Sequence, residues 1–295
     1  MLAELAAVYP AVRSTFAEGS EALGSDLWAL SQDGPKERLD ETRYTQPALL
    51  CAGTAVMRVL ASQLADRPLV MAGHSLGEYT ALVAAGVIAF ADAVRLVSLR
   101  GEFMQEAVPA GSGAMAAILG LDDGQVRAAC RDGARGQVVE PVNFNSPGQV
   151  VIAGDAEAVA RAAELAKAAG AKRALMLDVS VPSHCALMRP AAERLGEAMQ
   201  SVRFGAPRVP VLHNVNVDEA GDPAAIRQLL VEQLFSPVRW VETVQAIAGR
   251  GAEVVLEAGP GKVLTGLIRR IDKSLVALPV FDPASVEKAV EAINA

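Results

Sequence analysis

Gly73-His74-Ser75-Leu76-Gly77 sets a serine in the middle of a glycine-bounded pentapeptide. The apolar run Pro68-Leu69-Val70-Met71-Ala72 leads into it, and the helix-forming run 78–85 follows, so the segment reads as strand, tight turn, helix. The glycines permit the strained turn and close backbone approach. The serine oxygen stands exposed at the apex, where the start of the helix presents free N–H groups and a partial positive charge. A nucleophile that passes through a tetrahedral oxyanion needs that setting. An inert serine in a glycine-flanked turn is the alternative; the strand before and the helix after favour chemistry.

A serine nucleophile needs a base, and the chain has three histidines: His74, His184 and His213. His74 adjoins Ser75 and is expected to turn its ring away from the serine oxygen. His184 lies in Val181-Pro182-Ser183-His184-Cys185, where a predicted strand gives way to a helix. A helix N-terminus disfavours imidazolium, which would keep His184 neutral and able to accept a proton. His213 closes a predicted strand in Leu212-His213-Asn214-Val215-Asn216. Position favours His184 over His213, although either could be a hydrogen-bonded histidine at a sheet edge.

Arg100 is the second chemical signal. In the predicted helix 92–107 its neighbours at three- and four-residue spacing are Leu96, Val97, Phe103 and Met104, all apolar, so Arg100 projects from the buried face. A guanidinium there needs an anion. An acidic side chain of the same protein would serve, and so would a substrate carboxylate held in a bidentate fork. The helix directly follows the elbow helix, so its buried face can reach the serine. Gly259-Pro260-Gly261-Lys262 follows another predicted strand but lacks phosphate-loop spacing, and it reads as a turn and close-packing feature that could border the site.

These residues must be held by a sizeable scaffold. The chain has 295 residues, 52% of them hydrophobic, enough for one main domain with an insertion. Its most apolar region, 81–90, is too short to span a bilayer, and no membrane association is expected. The first ten residues carry an acid and no basic cluster, unlike a secretory signal. Cys51, Cys130 and Cys185 are scattered without metal-ligand spacing, which predicts a reduced, cytoplasmic protein with no metal. Net charge is −7, from 27 Lys+Arg against 34 Asp+Glu, which argues against nucleic-acid binding.

Residues 1–65 read as helical, with a polar link at 40–45 and Pro47 in the first turn of a long helix to residue 60. Pro109-Ala110-Gly111-Ser112-Gly113 then punctuates the chain. Beyond it the order is strand 114–119, helix 121–129, strands 137–144 and 149–153 around the turn Asn145-Ser146-Pro147-Gly148, helix 155–169 and strand 172–179. This β-α-β-β-α-β order is the signature of a ferredoxin-like subdomain, placed at 112–179. A large α/β domain surrounds it at 1–111 and 180–295. There a helix at 183–202, strands near 209–213, 253–257 and 275–280, and helices at 223–234 and 238–247 predict a parallel sheet.

Several motifs recur together in one known family. They are Ala72-Gly73-His74-Ser75-Leu76-Gly77-Glu78-Tyr79, Arg100 in Leu96-Val97-Ser98-Leu99-Arg100-Gly101, Asn143-Phe144-Asn145-Ser146-Pro147-Gly148-Gln149, and the His184 segment. Gln233 with Pro237-Val238-Arg239-Trp240, and Gly259-Pro260-Gly261-Lys262-Val263-Leu264, complete the order. Along essentially its full length the chain closely resembles the bacterial malonyl-CoA:acyl-carrier-protein transacylases. The resemblance implies an α/β-hydrolase-like domain with a ferredoxin-like insertion and ping-pong acyl transfer. It implies that Ser75 attacks the malonyl thioester of malonyl-CoA, that His184 moves the proton, and that Arg100 pairs with the malonyl carboxylate. The Leu76 N–H would supply half of an oxyanion hole, and the Gln233 main-chain carbonyl would orient His184. The acceptor would be the phosphopantetheine thiol of acyl carrier protein, the enzyme a monomer, and no metal or redox cofactor would be needed.

In that family a short strand and a Phe-Pro-Gly-Gln-Gly-Ser-Gln turn precede the first helix, whereas this sequence opens on that helix. A start codon placed too late or a shortened gene would each account for it, and loss of an oxyanion donor from that turn would slow the reaction about 100- to 1,000-fold. Two alternatives follow: a serine thioesterase or hydrolase, and a shortened, low-activity paralogue that binds the carrier. Acidic carrier proteins would dock on basic residues, for which Lys172-Arg173 and Arg269-Arg270 with Lys273 are candidates.

Overall fold

A computed structural model describes residues 1–179 and 181–295. The chain begins with five helices, Ala3–Val8, Pro10–Leu23, Leu27–Asp33, Lys36–Leu39 and Thr42–Gln63. The last starts five residues ahead of Pro47, so the polar link expected at 40–45 is mostly its first turn. Pro47 has no N–H for the Arg43 carbonyl one turn earlier. The Ser98 hydroxyl donates to that carbonyl instead, at 3.1 Å, which lets the helix run through the proline. Ser98 belongs to the helix Phe90–Glu106 that carries Arg100. The two helices meet closely at Gly101, where a Cβ would sit 2.5 Å from the Thr42 carbonyl oxygen.

Among the described residues, eight strands form three sheets. Strand β1 (Met71–Ala72) runs into the serine elbow. Strands β2 (Gly113–Leu119), β3 (Val139–Ser146), β4 (Gln149–Asp155) and β5 (Arg173–Met176) form an antiparallel sheet in the order β3-β4-β2-β5. Helices Asp123–Ala134 and Ala156–Ala168 cover one face through Val126, Cys130, Val159 and Ala162, packed on Ile118, Phe144 and Ile152. Met115, Val142 and Val151 on the opposite face meet Cys185 from outside this unit. Burial on both faces explains why β4 reads as a continuous apolar run. The first of these helices lies two residues beyond its predicted start and runs to Ala134, because Asp122 caps it: its Oδ1 accepts the Gln125 N–H at 2.8 Å while Gln125 returns to the Asp122 N–H.

Strands β6 (Val211–Leu212), β7 (Val254–Ala258) and β8 (Val276–Val280) belong to the larger part of the protein. The expected parallel pairing is present as two separate ladders, β1 with β6 and β7 with β8, rather than one sheet. Strand β6 is shorter than the predicted 209–213 because its partner offers only Met71 and Ala72 before Gly73 turns the chain. The helix predicted at 183–202 is broken into a 3₁₀ turn Ala186–Met188, an α-helix Arg189–Ala198 and a 3₁₀ turn Met199–Ser201. Pro190, at the start of the middle piece, has no N–H to continue the preceding turn. Helices Pro223–Gln233, Trp240–Gly249, Val263–Ile271 and Pro283–Asn294 complete the chain.

A core of Phe16, Leu50, Tyr79, Leu82, Val97, Leu195 and Leu230 fixes the elbow helix and the Arg100 helix against the N-terminal helices. A second cluster of Val238, Trp240, Val244, Leu267 and Ile268 packs with Leu275 and Ala277 at β8. The architecture is α/β-hydrolase-like, with parallel strands and flanking helices, and carries a ferredoxin-like antiparallel unit. Among the described residues no helix is long and apolar enough to cross a membrane.

Candidate active site

The elbow is built around two backbone constraints. A Cβ on Gly73 would lie 1.9 Å from the Gly77 carbonyl carbon, so only glycine fits where strand and helix nearly touch. Ser75 adopts φ +51°, a left-handed conformation costly for a residue with a side chain. Asn214, just past β6, holds it there. Its side-chain oxygen accepts the Ser75 N–H at 2.8 Å, and its NH₂ donates to the Gly73 carbonyl at 2.7 Å. The helix Gly77–Ala84 follows at once, and the Leu76 N–H beside the serine donates to no acceptor among the described residues.

Ser75 Oγ lies 2.8 Å from His184 Nε2. The other ring nitrogen, Nδ1, lies 2.7 Å from the Gln233 main-chain oxygen. A carbonyl only accepts, so Nδ1 carries the proton and Nε2 is left bare to receive one from the serine. His184 is buried, at 3% exposure, with its pKa lowered to about 3 by burial and then by the Arg100 charge. The neutral state expected for His184 is therefore present for a different reason from a helix N-terminus. Only a 3₁₀ turn follows it, and the α-helix begins at Arg189.

Arg100 reaches the same hydroxyl. Nη2 donates to Ser75 Oγ at 3.2 Å and to Gln233 Oε1 at 3.1 Å, and Nη1 donates to Gln46 Oε1 at 2.7 Å. The side chain is only 2% exposed, and Nε has no partner among the described residues. Every one of these acceptors is neutral. Of the two kinds of anion the sequence allowed, the protein's own carboxylate does not fill the place.

Gln233, fully buried at the end of its helix, contacts all three side chains or their backbone. Besides holding His184 and Arg100, its NH₂ donates to the Ser75 carbonyl at 3.1 Å and to Glu78 Oε2 at 2.9 Å. Sequence reasoning singled out its main-chain carbonyl and missed its side chain. It also missed Gln46, Glu78 and Asn214. Glu78 reads as an ordinary acid in a first helical turn, where it would suit the dipole; yet it is 0% exposed, and burial of a carboxylate demands partners.

The remaining candidates lie elsewhere. His213 Nδ1 is 2.7 Å from Glu78 Oε1, so His213 serves the carboxylate rather than the serine. His74 Nε2 is 2.8 Å from Asn145 Oδ1, and its ring tilts against Trp240. The Gly259–Lys262 loop joins β7 to the helix Val263–Ile271, whose first N–H groups are taken by Glu257. Cys51, Cys130 and Cys185 are buried free thiols, each with its pKa pushed up to about 12 by burial, and so are poor nucleophiles. Among the described residues no group of three His, Cys, Asp or Glu is placed to hold a metal ion.

A Ser–His pair beside a charged guanidinium is equipped for acyl transfer, and a family model describing the acyl transferase domain matches residues 1–290. The chain belongs to the acyl transferase family. Over 290 residues, 98% of the chain and 94% of the relative, this acyltransferase is 60% identical to the malonyl CoA-acyl carrier protein transacylase of Salmonella typhimurium. The malonyl CoA-acyl carrier protein transacylase of Coxiella burnetii superposes with a TM-score of 0.98 at 49% identity, covering 100% of this chain and 93% of that one. A malonyl-transacylase solved in complex with its type II polyketide-synthase acyl-carrier protein superposes with a TM-score of 0.97 at 57% identity, covering 99% of this chain and 94% of that one.

Proposed function

We propose that this acyltransferase moves a malonyl group from malonyl-CoA to the phosphopantetheine thiol of an acyl carrier protein through a malonyl-Ser75 ester. Ser75 Oγ attacks the thioester carbonyl while His184 Nε2 takes its proton. The oxyanion collects the Leu76 N–H, and collapse expels the coenzyme A thiolate, which recovers the proton from His184. The carrier thiol then enters, loses its proton to His184 and attacks the ester, returning Ser75 to its starting state. Gln233 holds the histidine tautomer with its main-chain carbonyl, so a dyad serves without an acidic third member. Proton and acyl transfer of this kind needs no metal or redox cofactor. The protein acts as a cytoplasmic monomer, and its domains divide at 112–179 within 1–111 and 180–295.

One observation carries the malonyl assignment. A buried Arg100 guanidinium, with only neutral hydrogen-bond partners, sits 3.2 Å from the hydroxyl that would carry the acyl group. A carboxylate two carbons from the reacting carbonyl supplies the missing countercharge, and acetyl does not. The test is peptide mapping after mixing with malonyl-CoA, followed by addition of carrier. Wild type should carry malonyl on Ser75 and pass it to the carrier thiol, and Ser75→Ala should carry none. Malonyl on another residue would refute the serine assignment. Release as free malonate in place of carrier product would make the protein a hydrolase.

A further inference from the structure

Beneath the serine lies a buried polar group that the proposed reaction does not use directly. Glu78 is 0% exposed and accepts hydrogen bonds from His213 Nδ1 at 2.7 Å, the Asn214 N–H at 3.0 Å and Gln233 Nε2 at 2.9 Å. On the far side of the Gln233 amide is Arg100, whose Nη2 donates to Gln233 Oε1 at 3.1 Å. The amide is therefore clamped between an acceptor-only carboxylate and a donor-only guanidinium. Reversed, it would point its NH₂ at the guanidinium and its oxygen at the carboxylate, and both contacts would repel.

We propose that Glu78 is a positioning residue that, through Gln233, fixes Arg100 for a substrate carboxylate. Charge-assisted hydrogen bonds are about twice as strong as neutral ones, and Glu78 makes three inside the protein. One ends on the amide that orients Arg100. Another ends on the backbone of Asn214, whose side chain holds the Ser75 elbow at both Gly73 and Ser75. Glu78 touches neither the serine oxygen nor the guanidinium; its hydrogen bonds act through Gln233 and Asn214, and its charge also reaches Arg100 through space. The inference rests on the malonyl-transfer reading and adds the residue that makes its selectivity directional.

Glu78→Gln tests it. An amide at this position keeps the volume and can accept from the Asn214 N–H, while His213 can change tautomer to accept at Nδ1. Its oxygen, in the place of Oε2, still meets both the Asn214 N–H and the Gln233 NH₂, but without the charge that strengthens those bonds, so the hold on Gln233 is weakened while the packing is kept. Rates of Ser75 ester formation from malonyl-CoA and acetyl-CoA are measured for variant and wild type. The malonyl rate should fall about tenfold and the acetyl rate about twofold, lowering the malonyl-to-acetyl ratio about fivefold, on the scale of one weakened buried hydrogen bond. A purely structural carboxylate would lower both rates alike. An unchanged ratio, with or without loss of rate, therefore overturns the proposal. If Glu78→Gln yields no folded protein, His213→Asn keeps the carboxylate but frees one of its oxygens. It should lower the same ratio about twofold, and an unchanged ratio again overturns the proposal. Wild type that forms no malonyl ester overturns the proposed function and this inference with it. Wild type that selects malonyl beside variants that select it equally well overturns the inference alone.

Discussion

Replacing Arg100 by methionine separates the grip on the carboxylate from the chemistry at the carbonyl. Methionine fills most of the same space, so the core around Leu96, Val97 and Met104 stays packed and the change is mainly loss of charge and donors. A carboxylate about 4 Å from the guanidinium gains about 4 kcal/mol at an effective dielectric near 20. Breaking one partner of a buried, hydrogen-bonded charge pair costs about 2–5 kcal/mol. Both figures put the share of the malonyl loss that comes from the carboxylate at about a thousandfold. Arg100 also donates to Ser75 Oγ, at 3.2 Å, and that contact serves any acyl group. Its loss should slow acetyl ester formation by about tenfold, the value of one hydrogen bond. The same tenfold falls on malonyl, so its ester formation should drop about ten-thousandfold in all and the malonyl-to-acetyl ratio about a thousandfold. Quenched-flow measurement of ester formation with labelled malonyl-CoA and acetyl-CoA, at equal pH and salt, reads the two rates directly. A melting curve confirms folding, since Gln46 and Gln233 lose a donor in the variant. Equal losses for the two acyl groups would mean that Arg100 acts only on the serine, and the carboxylate argument would fail.

Further outcomes follow from the same geometry. His184 has its pKa lowered to about 3 from an ordinary 6.5, so it penalises the folded state as acid is added. The penalty is absent above pH 6.5 and grows by up to about 1.4 kcal/mol per pH unit down to about pH 3. His184→Asn tolerates the φ of +67° at this position and should flatten the acid side of the stability curve between those limits in chemical denaturation. His74, whose pKa burial also lowers, keeps its share of acid sensitivity in both proteins, so an unaltered curve would show that His184 is not held neutral by the fold. Gly73→Ala places a Cβ 1.9 Å from the Gly77 carbonyl carbon and should cost more than about 3 kcal/mol or prevent folding; a melting temperature within a few degrees of wild type would refute the close-approach argument. Asn214→Ala removes both the acceptor of the Ser75 N–H and the donor to Gly73. It should lower the unfolding midpoint by the equivalent of about 2–4 kcal/mol, and no shift in denaturant titration would show that the elbow keeps its φ unaided.

What could be read from the sequence follows how local the physics is. The elbow was legible because its signal is local: a serine in a glycine-bounded pentapeptide between an apolar run and a helical run, with Gly73 where no Cβ fits. Arg100 was legible because its four helical neighbours declare a buried face, and the β-α-β-β-α-β order was legible because turn signals punctuate each element. The errors arose where a distant partner overrides a local rule. Pro47 signals a helix start, but the Ser98 hydroxyl, from another helix, takes the carbonyl that the proline leaves unpaired. The predicted parallel sheet is two short ladders because pairing length is set by the shorter strand, and Gly73 ends β1 after two residues.

The supporting shell was hidden for the same reason. Gln46 meets Arg100, Glu78 meets His213, and Asn214 meets Ser75 across long stretches of chain. No periodicity or short motif encodes such pairs. A general rule could still have found them. Glu78 follows a glycine turn at the head of a helix whose next residues are Tyr79, Ala81 and Leu82, all buried, so its own helix gives it little access to water. A carboxylate in that position must be met by donors, and the donors must come from segments that also approach the serine. Glu78 accepts from residues flanking two separate elements, the end of β6 and the end of the Pro223–Gln233 helix. Those two elements supply Asn214, which holds Ser75, and Gln233, which holds His184 and Arg100. The buried acid is thus the point where independent parts of the fold are tied to one another. That placement explains why a group remote from the reacting carbonyl should alter which acyl group the serine accepts.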